Sequence, residues 1–259
     1  MDNDRTMTNT PAHSSTCLLL TATIKVKEDV VFTARKDTNT RLNDYKQALT
    51  LWLAHPDIKS LVLVENSGSD LSELREIANQ TPEKNVEFLS FTGPEFDGSL
   101  GKGYGEMICL EYAIEHSQLL VRSPRCVKVT GRYFLRNATD FLHFAESRHD
   151  AEIICDMLLN LTWADSRVFA ATPDFLRNYL FPLREEVNDS QGSNFEHVLA
   201  RAVHACMANR GAWAEPPFPL EIQGVSGSQD RGWQMSLKDK FELRIRHKLF
   251  ARFLATGPR

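Results

Sequence analysis

The chain has 259 residues, 42% of them hydrophobic, enough to bury one large core or two small ones. A formal net charge of -4 argues against nucleic acid as the main partner, because tracking phosphates needs a basic excess, although residues 238–259 alone hold seven Lys or Arg against two acids. The five cysteines, Cys17, Cys109, Cys126, Cys155 and Cys206, form no CxxC pair, which removes zinc-ribbon and thioredoxin-like chemistry and predicts buried free thiols.

In chain order, residues 1–16 form a polar, acidic leader, opposite in character to a secretory signal and expected to be disordered. No apolar run approaches the roughly 20 residues a spanning helix needs, so a cytoplasmic location is expected. Residues 17–24 are apolar and β-branched and predict a buried first strand. Residues 41–54 place Leu42, Tyr45, Leu49, Trp52 and Leu53 on one helical stripe that stops before Pro56. A second strand at 60–64, a helix at 71–80 and a third strand at 86–91 follow. After a glycine-rich turn, Met107, Leu110 and Ile114 mark a helix, and 125–130 reads as a fourth strand.

This alternation predicts crossover units and an α/β fold: a mixed, mostly parallel sheet with helices on both faces. Ligands on such sheets sit outside the carboxyl ends of the strands, which gathers Thr21, Glu65, residues 101–106 and residues 128–133 into one crevice. Beyond it the pattern is less regular. Strands are expected at 152–155 and 166–171, helices at 173–180 and 194–209, and a loop at 224–228. Residues 237–254 set Leu237, Phe241, Ile245, Leu249 and Phe253 along one side of a basic helix, which suits either packing on the domain or lying on an anionic membrane surface.

Residues 64–70 (VENSGSD) close the second strand with Glu65 and Asn66 and end on Asp70. A carboxylate there can accept hydrogen bonds from a ribose or base, and Asp70 can equally cap the next helix. Residues 98–105 (GSLGKGYG) are no Walker loop, since Phe96 stands at its first glycine position and Gly103 follows Lys102. Their glycines, Gly103 among them, let backbone amides approach an anion at a helix start, with Lys102 adding charge, or simply make a flexible loop. Residues 128–133 (KVTGRY) put Lys128, Thr130 and Arg132 at the end of the fourth strand, as anion ligands or as surface ion-pair partners. Asp165 and Arg167 precede an apolar run, at a ligand loop or in a buried salt bridge. Glu196 lies in the first turn of a helix, where it complements the dipole or acts as a base, with His197 beside it. No HExxH or GxSxG pattern occurs, so zinc hydrolysis and the common serine hydrolase layout gain no support.

Taken together, the turn at 64–70, the glycine-bearing helix start and the segment 128–133 resemble GT-A-type nucleotide-sugar glycosyltransferases of the bacterial surface-polysaccharide kind. The resemblance covers roughly residues 17–208. It implies one GT-A-like, Rossmann-type domain over residues 17–236, with a nucleotide-sugar half at 17–135, an acceptor half at 136–236 and the basic helix at 237–259. Thr21, Glu65, Asn66, Asp70, Lys102, Gly103, Lys128, Thr130, Arg132 and Arg167 would contact the donor. Glu196 would be the general base of an inverting transfer, with Asp165 in reserve. The chain departs from the family where an Asp-x-Asp metal motif is usual: Thr130 and Arg132 stand there. With cations able to neutralise a leaving diphosphate, no metal and no cofactor are expected beyond the nucleotide-sugar itself. The implied acceptor is a glycan or a lipid-linked glycan, with peripheral attachment to the inner membrane face. Two rivals are a sugar-phosphate nucleotidyltransferase, which normally has a glycine-rich basic loop where residues 21–27 (TATIKVK) have no glycine, and a non-catalytic nucleotide- or glycan-binding module.

Overall fold

In the computed structural model, residues 16–226 and Ile245 are described. Strand β1 (Thr16–Ala22) is buried at every position, as a central parallel strand covered on both faces must be. Helix α1 (Thr38–Ala54) starts at Asp37, whose carboxylate accepts from the Thr40 amide at 2.8 Å. Then come β2 (Ser60–Glu65), α2 (Ser72–Ala78), β3 (Asn85–Ser90), α3 (Gly101–His116) and β4 (Arg125–Thr130). β1 pairs in parallel with β2 and β4, and β2 with β3, so the first half is a parallel crossover sheet of order β3-β2-β1-β4.

The second half contributes β5 (Tyr133–Leu135), α4 (Ala138–Ser147), β6 (Ile153–Ile154), β7 (Met157–Leu158), β8 (Trp163–Ala164) and β9 (Val168–Ala171). It ends with α5 (Pro173–Phe175), which runs into a wider turn at Leu176–Leu180, then α6 (Phe195–Ala208), β10 (Trp213–Ala214) and β11 (Ile222–Gly224). The main sheet has seven strands in the order β10-β6-β9-β4-β1-β2-β3. β9 runs antiparallel to both β4 and β6. That reversal positions the site: residues 165–167, which enter β9, lie at the same sheet edge as the carboxyl end of β4, and the Thr130 amide donates to the Arg167 carbonyl at 2.9 Å.

The alternation along each strand divides the core. Cys17 and Leu19 of β1 face a layer that includes α3 and α6, whereas Leu18, Leu20 and Ala22 face α1 and α4. All five cysteines are buried and free. Among the described residues, no helix is long and apolar enough to cross a membrane.

The architecture is the expected α/β one: a mixed, mostly parallel sheet flanked by helices. Some boundaries shift. Thr16, assigned to the leader, pairs with Arg125 in the sheet, and the rest of the leader lies outside the described residues. So does the basic segment 237–259 except Ile245, which is helical and exposed. The hairpin β7–β8, the pair β5–β11 and strand β10 were not expected, because two or three residues are too few to display a period.

Candidate active site

A cleft of about 710 Å³ opens where the carboxyl ends of β1 and β4, the segment entering β9 and the starts of α3 and α6 meet. Its floor is organised by Glu106 of α3, a residue within the expected crevice but given no role from sequence. The Glu106 carboxylate accepts from Thr21 Oγ1 at 2.7 Å and from Thr130 Oγ1 at 2.9 Å, and pairs with Lys128 Nζ at 2.6 Å, so one side chain ties β1, β4 and α3 together. Burial pushes this carboxyl up, but Lys128 and the two hydroxyls outweigh burial and hold it below the usual carboxylate value.

Lys128 is therefore not a phosphate ligand. It is fully buried, and besides Glu106 its Nζ donates to Thr130 Oγ1 at 3.1 Å and to the Ser166 carbonyl. As a residue inside β4 it points into the α3 side of the sheet, where it also lies 5.6 Å from the Phe169 ring and 5.8 Å from that of Phe195. Its charge is neutralised beneath the floor of the cleft.

Arg132 behaves differently because it follows the strand's end. A Cβ at Gly131 would come within 2.7 Å of the Thr21 carbonyl, to which the Gly131 amide donates at 2.8 Å, so glycine lets the turn lie across the tip of β1. Arg132 then lines the cleft at 9% exposure, and its Nε and Nη1 are buried without a hydrogen-bond partner. Buried donors left unmade are costly.

The turn after β2 is corrected in three places. Glu65 is fully buried and accepts from the Ile24, Ser67 and Ser69 amides at 2.9, 3.0 and 3.1 Å, so it closes its own turn. Asn66 donates to the Gly105 carbonyl at 3.0 Å and accepts from Thr23 Oγ1 at 2.7 Å, fastening α3 to β1. Asp70 accepts from the Ser72 amide at 3.0 Å and its hydroxyl at 2.6 Å, so it is engaged with the first residue of α2. None of these three side chains lines the cleft.

The glycine-rich turn is also corrected. Gly101 has φ +82, and the carboxylate of Asp189 occupies the space beside it: a Cβ there would meet Asp189 Oδ2 at 2.1 Å. Asp189 accepts hydrogen bonds from the Lys102 and Gly103 amides. The helix start expected to hold a substrate anion is thus occupied by the chain's own anion, as a helix dipole favours. Burial raises the Asp189 carboxyl, although Lys102 and these amides oppose it. Gly103 serves packing, since a Cβ there would lie 3.0 Å from that of Phe195 and hold the starts of α3 and α6 apart. Lys102 remains exposed at the cleft mouth.

Asp165 and Arg167 form the salt bridge that was one of the two expected roles. Arg167 Nε and Nη2 donate to the two carboxylate oxygens at 2.8 and 2.6 Å, and the Arg167 amide adds a third bond at 3.0 Å. Asp165 is 3% exposed and so committed to Arg167 that it is removed as a reserve base. Glu196 stands in the first turn of α6 and lines the cleft, where its Oε1 accepts from Ser166 Oγ at 2.9 Å. Burial, against the opposing bonds and Lys102, leaves its carboxyl raised above the ordinary value. His197 packs edge-on against Trp163, ring centroids 4.9 Å apart, and does not line the cleft.

Arg41 and Tyr45 of α1 also line the cleft and were not anticipated as ligands. A signal existed: Arg41 falls four residues before Tyr45 on the same apolar stripe, an unusual place for a cation. Asp189 had no comparable local signal. Among the described residues, no group of three or more His, Cys, Asp or Glu is placed to hold a metal ion.

No protein-family model and no curated protein matches the sequence. Similar solved structures include the glycosyltransferase GlyE of Streptococcus pneumoniae TIGR4, 8% identical with a TM-score of 0.49 over 77% of this chain and 44% of that one. The mannosyltransferase PcManGT of Pyrobaculum calidifontis, in complex with GDP-Man and Mn2+, is 11% identical with a TM-score of 0.48 over 94% of this chain and 65% of its own. A cytidylyltransferase of Leptospira borgpetersenii is 9% identical with a TM-score of 0.45 over 95% of this chain and 99% of its own. With scores below 0.5 these are likenesses of outline, and the chemistry of the cleft has to be read from its own residues.

Proposed function

We propose that the protein is a glycosyltransferase that moves a sugar from a nucleotide-sugar to a glycan or lipid-linked glycan, without a divalent metal and with inversion at the anomeric carbon. The observation that carries it is the presence, in one cleft, of a buried guanidinium at Arg132 whose Nε and Nη1 have no partner among the described residues and a carboxyl held above its usual pKa at Glu196. Glu196 takes the proton of an acceptor hydroxyl, the oxygen attacks the anomeric carbon, and the bond from that carbon to the diphosphate oxygen breaks. Arg132 donates to the diphosphate as its negative charge grows, and Lys102 adds charge at the mouth. Thr21 and Thr130, held by Glu106, fix the floor on which the donor lies.

The donor set supports metal independence. Among the described residues, each carboxylate that lines the cleft already has a donor: Glu106 has Lys128, Asp165 has Arg167, Asp189 has the α3 amides and Glu196 has Ser166. A cytoplasmic enzyme at the inner membrane face, engaged through the basic residues 237–259, would suit a lipid-linked acceptor in surface polysaccharide or lipopolysaccharide synthesis.

A panel of nucleotide-sugars incubated with the protein and EDTA tests this. Release of nucleoside diphosphate, by transfer or by slow hydrolysis, is the expected result. Activity abolished by EDTA and restored by Mn2+ would refute metal independence. Pyrophosphate release from a nucleoside triphosphate and a sugar phosphate would instead assign a nucleotidyltransferase, and binding without turnover a recognition module.

A further inference from the structure

We infer that Arg41 and Arg132 together form a two-guanidinium clamp for a diphosphate group, with Arg41 the binding residue that takes the place sequence gave to Lys128. Arg41 is 5% exposed and lines the same cleft as Arg132. Its Nε donates to the Thr23 carbonyl at 2.7 Å, its Nη1 to the Arg35 carbonyl at 3.0 Å and its Nη2 to Tyr45 Oη at 3.1 Å. Every one of those partners is neutral. The carboxylate nearest in sequence, Asp44, is held by Arg35 through two bonds of 2.5 and 2.8 Å.

The contrast with the neighbouring cations is the point. Lys128 and Arg167 border the same site, and each has a carboxylate at 2.6 Å. Arg41 and Arg132 have no ion pair among the described residues, though both are more than nine-tenths buried. They also feel one another: burial first, with the charge of Arg132 contributing, holds the Arg41 guanidinium below its usual value. Two like charges withdrawn from water without an ion pair among the described residues are unfavourable, although Asp44 partly offsets the charge of Arg41, and an anionic ligand relieves both at once.

The ligand's chemistry follows from number and shape. A single carboxylate balances one guanidinium, whereas a diphosphate offers at least two negative charges and several acceptor oxygens to two planar forks. The backbone that carries the clamp is tied together before binding. Tyr45 Oη accepts from the Thr23 amide at 2.9 Å, and Trp52 Nε1 of the same helix donates to the Tyr133 carbonyl at 2.8 Å, so the segments carrying the two arginines are fastened together. Little ordering cost then remains for the ligand to offset.

The identity of the ligand as part of a nucleotide-sugar rests on the glycosyltransferase reading, but the clamp can be tested without it. Calorimetric titration of inorganic pyrophosphate into the full chain in EDTA should show binding. Arg41→Met and Arg132→Met should each weaken it by roughly tenfold or more, the range for hydrogen bonds to charged groups. Melting curves check that each variant folds, and Arg41→Gln, which keeps a donor toward Tyr45, replaces Arg41→Met if that variant does not. Wild-type protein that ignores pyrophosphate, or a folded Arg41 variant that binds it as wild type does, overturns the clamp. Arg41-dependent binding with no sugar transfer would leave the clamp standing and remove the glycosyltransferase reading, while transfer indifferent to Arg41 would remove the clamp alone.

Discussion

Replacing Glu196 with Gln is expected to lower turnover by on the order of 10²-fold or more while making the protein more stable at neutral pH. Both effects have one cause. Glu196 is half-buried at the start of α6 with one hydroxyl donor, from Ser166, and desolvation raises its carboxyl above the unfolded value. The folded chain therefore holds this proton more tightly than the unfolded chain does. Stability falls as pH rises from the ordinary carboxylate range through the raised value, and the penalty persists above it. Gln has no charge to desolvate, so the stability difference between variant and wild type should be present at pH 7 and shrink as pH falls into the carboxylate range. Turnover of the wild type should fall over that same interval, because only the ionised form accepts a proton. Thermal melts at neutral and acid pH, beside single-turnover rates, read both. A variant with near-normal turnover would place the base elsewhere, and one with lost turnover but no gain in stability would give Glu196 a structural part.

Lys128→Met is expected to destabilise the fold by up to about 3–5 kcal/mol, the range for breaking a buried ion pair, here one with a fully buried lysine and a partly exposed carboxylate. The charge left behind is Glu106, whose oxygens also hold Thr21 and Thr130. Lys128→Met combined with Glu106→Gln removes both charges and keeps an acceptor for the two hydroxyls, so it should regain most of the loss. Urea unfolding of the single and double variants measures the recovery. A direct phosphate ligand would behave in the opposite way, with diphosphate affinity lost and unfolding little changed.

How much of this was legible in the sequence differs by element. Residues 60–64 and 125–130 read as strands because they are short runs rich in β-branched and apolar residues, and Asn194 with Glu196 marks the start of α6. The crevice at the strand ends followed from topology. What could not be read was the direction of each charged side chain. Lys128 and Arg132 look alike in KVTGRY, yet the first lies within the strand and must face a helix layer, while the second lies past Gly131 and faces the cleft. Glu65 resembles a ribose ligand until the amides of Ser67 and Ser69 fold back upon it. Asp189 reaches the start of α3 from more than eighty residues away, and no local pattern announces such a meeting.

The central claim is that cationic side chains at the end of β4 and the start of α1, rather than a bound ion, receive the diphosphate. A crystal structure with nucleoside diphosphate bound in the presence of EDTA tests it most directly. Phosphoryl oxygens within hydrogen-bond distance of the Arg132 guanidinium are predicted. A diphosphate lying away from Arg132, or one that binds only when a divalent ion bridges it to the Glu106 or Asp189 carboxylate, would contradict the account.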